Sequence, residues 1–573
     1  MKLVEIDIQN FRGIKSLNIP IDRLTVLIGE NNVGKSTVIE ALKLVLTRGF
    51  GSIRGKQFSE YDFHLNDTNA TPKTAESIRI VLHFAEEQQD EWPVTITQQM
   101  NEVIQLDSTT GLNHIWLQAK GAFNSESRSF ETKLSFLNSN MTDLNSRNST
   151  YLNLLQGFVP LFFLSALRDA SQEFGQRGQF WSGFLKSINL PDASRQEIEQ
   201  KLEEINTSVI GANEGLNEVI QKISEAKRLV PLDSTDPVIL ETIPTRIFDM
   251  VGNIQVYLRS TFGVKLPLNK HGEGTQSLAV LMLFQAFAAA NLTEAYSPES
   301  APILALEEPE AHLHPSAIRS LGAFLESLVG QVIVSSHSGD LLSRVPITSI
   351  RRLYKKNGQT VVGQIQTNAL TSEEERHFDY HVRITKGSHL FARCWLLVEG
   401  QSEFWFFPEV IALMHSGIDE MNFAVIEFSQ GGGPPPFIKA AKSLGIEWFV
   451  VADGDRAGTN YINQAKSCLA VSETENDRMM QLSSKDIEHE FWNAGYEDVY
   501  KNPIQPLDLL QLQTQYSSNL QEFADAVIKK AINERKKPKL AMDLVVEIRR
   551  RGVLTLPQTI QDVIARVVNL SGG

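Results

Sequence analysis

Between Leu24 and Leu46 a buried apolar run, a glycine-bounded loop and an amphipathic helix follow one another without a gap. The run is Leu24-Thr25-Val26-Leu27-Ile28, which reads as a strand covered on both faces. The loop is Gly29-Glu30-Asn31-Asn32-Val33-Gly34-Lys35-Ser36. A helix follows from about Lys35 to Leu46, with Val38, Ile39, Ala41, Leu42 and Val45 on its apolar side. A strand that enters a helix through G-x4-G-K-S aims backbone N–H groups and a helix N-terminus at one point, which makes a polyphosphate cradle. The expected nucleotide contacts are Asn31, Asn32, Gly34, Lys35, Ser36 and Thr37, with Lys35 at the outer phosphates and Ser36 at Mg2+.

Further parts of a nucleotide site lie far along the chain. Leu304-Ala305-Leu306-Glu307-Glu308-Pro309 ends a buried strand in two acids. Glu307 is expected at the metal and Glu308 at the attacking water. His337 follows the next strand, Val332-Ile333-Val334, and is placed to sense a γ-phosphate. Gly272 and Gly274, in Gly272-Glu273-Gly274-Thr275-Gln276-Ser277, form a glycine turn before an apolar helix. That turn suits the γ-phosphate of a nucleotide bound by a second subunit. His312 and His314, just after the acidic strand end, read as an intersubunit loop in preference to a metal pair.

A second constellation is made of carboxylates. The buried strands Trp395–Val398 and Trp448–Ala452 run into Glu399-Gly400-Gln401-Ser402-Glu403 and Asp453-Gly454-Asp455, and Ser484–Glu490 adds a third acidic group. Oxygen ligands at strand ends suit Mg2+ or Mn2+. Two such ions stabilise the attacking and leaving oxygens in phosphodiester cleavage. Glu399, Glu403, Asp453, Asp455, Glu488 and Glu490 are the expected ligands. Asp453 and Asp455 are expected to point the same way, as alternate residues of a strand.

The charged stretch 365–390, with Glu373-Glu374-Glu375-Arg376-His377, reads as irregular and marks the expected boundary between units at 1–370 and 390–573. Residues 194–230 repeat apolar positions at helical spacing, with Ile198, Leu202, Ile205 and Val209 first, and predict a short hairpin with a coiled-coil-type seam, a packed helical insertion or a dimerisation element, inside a dimerisation-type insertion over about 170–245. The net charge of −14 argues against a protein that simply coats nucleic acid. Against that background, the basic residues from Lys529 to Arg551 form a candidate phosphate-backbone contact. Two cysteines, Cys394 and Cys468, offer no disulfide framework, and no apolar run is long enough to span a membrane. The expectation is a soluble, cytoplasmic protein.

Ile8-Gln9-Asn10-Phe11-Arg12-Gly13, the phosphate loop, the glycine turn, Glu307-Glu308-Pro309-Glu310 and Ser336-His337 resemble ABC-type ATPases of the recombination and chromosome-maintenance kind. The chain departs from them in lacking a Leu-Ser-Gly-Gly-Gln signature and in carrying Glu307 where Asp is usual. The strand–Glu-Gly-x-Ser-Glu and strand–Asp-Gly-Asp pair, with Gly431-Gly432-Gly433 between, resembles the Toprim domain. Together they resemble the OLD (overcoming lysogenization defect) nucleases, which include the nuclease subunit of Gabija-type antiphage systems.

That resemblance implies an α/β chain: an ABC-type ATPase head with a helical insertion, then a Toprim domain with a Rossmann-like parallel sheet. It implies an ATP-regulated endonuclease acting on DNA, with one Mg2+ beside ATP and two Mg2+ or Mn2+ ions at the carboxylates. It also implies a lysine at the scissile phosphate, for which Lys539 is favoured and Lys537 is second. Nucleotide is expected to restrain or gate cutting. A homodimer is the minimum, a tetramer is compatible, and a helicase or reverse transcriptase encoded nearby would be a partner. The alternative is a non-cleaving DNA-binding ATPase that acts as a repair or checkpoint scaffold. Primase or topoisomerase activity is weaker, since no zinc module or suitable tyrosine context accompanies the Toprim motif.

Overall fold

The computed structural model describes residues 1–47, 50, 56–66, 69–144, 148–164, 191–212, 257–259, 265–276, 278–282, 285, 299–311, 313–385, 387–415 and 422–572. Strands β1 (Lys2–Phe11), β2 (Ile14–Pro20) and β3 (Leu24–Ile28) lead into helix α1 (Lys35–Leu46). β4 (Ile78–Ala85), β5 (Gln105–Leu106), β6 (Asn113–Asn124), β7 (Ser129–Leu137) and β8 (Leu161–Leu164) follow. β1, β2 and β4–β7 form an antiparallel sheet in the order β2-β1-β4-β6-β5, with β7 also on β6.

A short hairpin, β9 (Tyr257–Arg259) with β10 (Lys265–Pro267), precedes the rest of a second sheet. That sheet adds β11 (Ile303–Glu307), β12 (Gln331–Ser335), β13 (Ile350–Lys356) and β14 (Gln359–Gly363) in the order β14-β13-β3-β12-β11-β8. All its pairings are parallel except the β13–β14 hairpin. The third sheet is parallel throughout: β15 (Cys394–Val398), β16 (Phe423–Glu427), β17 (Glu447–Ala452) and β18 (Met479–Gln481), in the order β16-β15-β17-β18. Its strand order reverses between β15 and β17, and such a switch point opens a crevice at the carboxyl ends of the strands. Among the described residues no helix is long and apolar enough to cross a membrane.

The expected insertion falls mostly outside the described residues. Helix α2 (Asp192–Gly211) is the part that is described, and it matches the first arm of the expected hairpin. Leu202 is buried on it, whereas Ile205 and Val209 of the expected seam are exposed. The second arm, 213–230, lies outside the described residues.

Three apolar cores hold the sheets. One lies between the first and second sheets, where Ile6, Ile80 and Leu117 meet Val38 and Leu42 of α1. Another runs without interruption from Val26, Leu304 and Val334 of the second sheet to Trp395, Leu397 and Trp448 of the third. The third covers the far face of β15 and β17 with C-terminal helices. The second and third sheets are therefore welded by shared apolar burial. Buried Arg352 of β13 reinforces the weld by donating to the carbonyls of Leu390 (3.1 Å), Ala392 (2.8 Å), Leu444 (3.3 Å) and Gly445 (3.0 Å).

The stretch expected to be irregular is in fact helical. After α3 (Pro315–Ser327), helix α4 (Ser372–Ile384) spans the acidic run. Thr371 caps it, accepting from the Glu374 N–H, while the Glu374 carboxylate accepts from the Thr371 N–H. This reciprocal cap, together with burial of Phe378 and Val382 one turn apart, outweighs the like charges of Glu373, Glu374 and Glu375. The join between the two units is a packed helix.

His381 of α4 and His389 pack ring against ring at 5.1 Å, against Phe437 and Trp395 respectively, and each has an Nε2 without a hydrogen-bond partner. Burial lowers the pKa of His381 to about 4 and that of His389 well below 6.5. Both are neutral in the folded state, so the unfolded chain binds more protons below pH 6.5. Stability is complete above pH 6.5 and falls as the pH drops from there toward the folded-state value. From His381 alone, lowering the pH from 7 to 5 should cost about 2 kcal/mol. A melting series across that range should show the drop, and His381→Phe should remove the His381 share of it while that of His389 remains.

Candidate functional site

The loop after β3 takes the shape its glycines allow. Gly29 has φ +140°, and a Cβ there would stand 2.1 Å from the Leu353 carbonyl oxygen; Gly34 has φ +109° against the Ile14 side chain. Asn31 and Asn32 are exposed at the crest, and Thr37 is half-buried on α1. Lys35 is buried, and its Nζ donates to the carbonyl oxygens of Gly29 (2.9 Å) and Glu30 (2.8 Å). Burial lowers its pKa. An ammonium held by loop carbonyls around a glycine-lined hollow fits a polyphosphate that would replace those carbonyls.

The distant parts converge on this loop. Glu307 lies beside Ser36, and its pKa is raised chiefly by burial. Glu308 sits in the left-handed region at φ +45°, held by its N–H on the Ser335 carbonyl at 2.9 Å, and its carboxylate lies 3.6 Å from His337 Nε2. A residue without glycine's freedom in that conformation stores strain of about 1–3 kcal/mol. Burial first, and then the Lys35 charge, lowers the His337 pKa. Glu310, to which the sequence assigns no role, orders the loop: its Oε1 accepts from Ser336 Oγ (2.7 Å) and the His337 N–H (2.8 Å). Gly272 and Gly274 line a cavity that no described phosphate-loop residue lines. It measures about 860 Å³ and is lined also by Leu313, His314 and Ala317.

The third sheet gathers most of the expected carboxylates at its switch point. Glu399 follows β15 directly, and its Oε2 accepts from the Asp453 N–H at 3.0 Å. Glu403 lies in the first turn of α5 (Gln401–Met414) and is buried; a Cβ on Gly400 would stand 3.1 Å from its carboxylate. Glu488, on α8 (after α6, Pro435–Leu444, and α7, Arg456–Lys466; α8 is Ile487–Phe491), is buried and accepts from Ser402 Oγ at 2.5 Å. Burial first, then the neighbouring Glu488 charge, raises the Glu403 pKa. Burial first, then Glu403 and Glu399, raises that of Asp453.

Asp453 Oδ1 and Glu488 Oε2 are buried with no hydrogen-bond partner. Burying unpaired carboxylate oxygens within one another's field is costly unless cations neutralise them. The donor set is all oxygen, which fits Mg2+ or Mn2+. Among the described residues no three acidic or histidine groups are drawn to one point at ligating distance. The acids share one field, and their oxygens are not converged.

Three expectations about individual residues need correction. Glu490 does not face the cluster: its oxygens accept from Ser483 Oγ (2.9 Å), the Ser484 N–H (2.9 Å) and Thr559 Oγ1 (2.6 Å). Residues two apart on a helix point away from each other, so Glu488 and Glu490 cannot both serve. The same geometry separates the lysines. Lys537, at the start of α10 (Lys537–Arg551; α9 is Leu520–Arg535), lies 3.6 Å from Glu488 Oε1, whereas Lys539 is exposed. Burial opposes the Lys537 charge, but Glu488, Glu403, Asp486 and Asp453 outweigh it and raise its pKa. Asp455 does not alternate with Asp453 on a strand, because β17 ends at Ala452. Asp455 caps α7 instead, its Oδ1 accepting from the Gly458 N–H at 2.8 Å.

Two residues of the site went unassigned in the sequence. Asp486 caps α8 and contributes to the field at Asp453 and Lys537. Its signal was present, as an Asp just before a short helix. Arg393, one residue before β15, forms a two-pronged ion pair with Glu30 of the phosphate loop, at 2.5 and 2.9 Å. No local pattern announces that pair.

Comparison with known proteins places these features. Residues 1–389 match the family described as a protein of unknown function (DUF2813), and residues 390–455 match the overcoming lysogenization defect protein-like TOPRIM domain. The chain is 28% identical over 576 residues to the uncharacterized protein YbjD of Escherichia coli (strain K12), covering 100% of both. It is 25% identical to the Old nuclease of Escherichia phage P2, covering 84% of this chain and 81% of that one. It is 22% identical to the endonuclease GajA of Bacillus cereus (strain VD045), covering 79% and 75%. The chain thus belongs to the DUF2813 family over its first two thirds and carries the OLD Toprim domain straight after it, which makes it an OLD-family nuclease.

Proposed function

We propose that this nuclease is a divalent-metal-dependent DNA endonuclease of antiphage defence, with an ATPase head over about 1–370 governing a Toprim unit over about 390–573. The observation that carries the reading is the buried group Glu403, Asp453 and Glu488 beside Lys537, with two carboxylate oxygens left unpaired. Glu399, Glu403, Asp453, Glu488 and Asp486 would hold the metal, with Asp455 at the rim. Bound Mg2+ or Mn2+ ions would supply positive charge to the attacking and leaving oxygens of the phosphodiester. Lys537 would hold the scissile phosphate. Lys529, Lys536, Lys539 and Arg549 are exposed and, among the described residues, lack an acidic partner, which suits backbone contact without base readout.

The nucleotide would act through β15. Lys35 holds the Glu30 carbonyl, and the Glu30 side chain holds Arg393 at one end of β15, whose other end carries Glu399. A polyphosphate that draws Lys35 off the loop would relieve the Glu30 backbone and shift that strand. Gly272 and Gly274 line a different cavity from the phosphate loop, which suits a nucleotide shared between two copies. Supercoiled plasmid incubated with the protein tests the whole reading. Nicked and linear products are expected with Mg2+ or Mn2+, none with chelator, and a rate that changes with ATP. Plasmid left intact under every metal condition would sink it.

A further inference from the structure

We propose that His489, clamped between Asp486 and Asp525, is a positioning residue that fixes Asp486 at the edge of the metal-binding carboxylates. The proposal rests on the metal-dependent reading above. Asp486 Oδ1 accepts from both the backbone N–H of His489, at 2.8 Å, and its ring Nδ1. One oxygen is thus held twice by one residue, and Oδ2 is left without a protein partner among the described residues. The ring is buried, and its Nε2 donates to Asp525 Oδ1 on α9 at 2.8 Å; Lys485 Nζ reaches the same oxygen at 3.0 Å.

A helix cap requires none of this. The Asp486 oxygen on the His489 N–H satisfies the first turn of α8 without help. The second contact uses an acid 36 residues further along, on a different helix. That helix, α9, runs through Lys536, at φ +66°, straight into Lys537. The relay Asp486–His489–Asp525 therefore ties an acid of the site to the helix that delivers the site's lysine. Groups that hold a ligating carboxylate by hydrogen bonds are worth about 10–100-fold in metal affinity.

The test is Mn2+ titration of wild type, His489→Ala, His489→Asn and Asp525→Asn, read both as the rise in melting temperature and as plasmid cleavage. His489→Ala should need about 10–100-fold more Mn2+ for half of either effect. His489→Asn, whose amide can still donate to Asp486, should recover most of it. Asp525→Asn leaves the ring in place on a half-exposed surface and should shift the midpoint several-fold in the same direction, so it decides the matter if His489→Ala fails to fold. A merely structural role predicts a lower metal-free melting temperature with Mn2+ midpoints like wild type, and that result overturns the proposal alone. A wild type that responds to Mn2+ in neither readout overturns the metal-dependent reading and this proposal together.

Discussion

Asp453→Asn is expected to lower plasmid cleavage by on the order of 10³-fold and, in the same protein, to raise the metal-free melting temperature. The two effects have one cause. Burial and the charges of Glu403 and Glu399 push the Asp453 carboxyl toward its protonated form, and its Oδ1 has no partner. Without metal the folded chain must take up a proton there or tolerate repulsion, and Asn has the shape of the protonated acid without that requirement. With metal bound, the same substitution is costly. A metal stabilises transition-state charge by several kcal/mol, and each 1.4 kcal/mol is tenfold in rate, so a lost anionic ligand costs about three powers of ten. Cleavage within tenfold of wild type would remove Asp453 from the chemistry. An unchanged melting temperature would mean that the acids do not strain the fold.

Arg393→Met should leave cutting in the absence of nucleotide within about threefold of wild type and bring the ATP effect on cutting close to none. Coupling between two sites typically amounts to 1–3 kcal/mol, or about 5–150-fold, and linkage makes it reciprocal. Wild-type affinity for nucleotide should therefore change with DNA by the same factor by which DNA affinity changes with nucleotide, and Arg393→Met should abolish both. The effect is local because Arg393 joins the units through Glu30, while Arg352 and the shared apolar core keep them packed. Hydrogen exchange gives a readout apart from activity. Nucleotide should alter protection of 394–398 in wild type and not in the variant, while protection of 35–46 changes in both. Equal ATP responses in the two proteins would show that the signal travels by another route.

The ATPase and Toprim architecture was legible because each piece is written in adjacent residues. Strand, glycine loop and helix from Leu24 to Leu46 leave little freedom, and β15 and β17 announce themselves as fully buried runs that end in acids. The acidic run of α4 hides a helix because its charge density masks the Thr371–Glu374 cap, which is written in adjacent residues. Asp455 misled because the expected strand continued three residues past the real end of β17.

Other features could not be read at any level of care. Glu488 against Glu490, and Lys537 against Lys539, are equivalent by residue type and by distance along the chain. Choosing between them requires knowing which side of a short helix meets the sheet, and that follows from packing of α5 and α10 around Phe406, Leu540 and Leu544. Glu30 and Arg393 stand 363 residues apart, and the His489–Asp525 contact joins separate helices. Short-range chemistry is encoded where it acts, since a phosphate loop or a strand-end acid needs only its neighbours. Contacts between remote side chains exist only after the sheets have stacked, because burial of apolar faces, and no pattern in the intervening chain, brings them together.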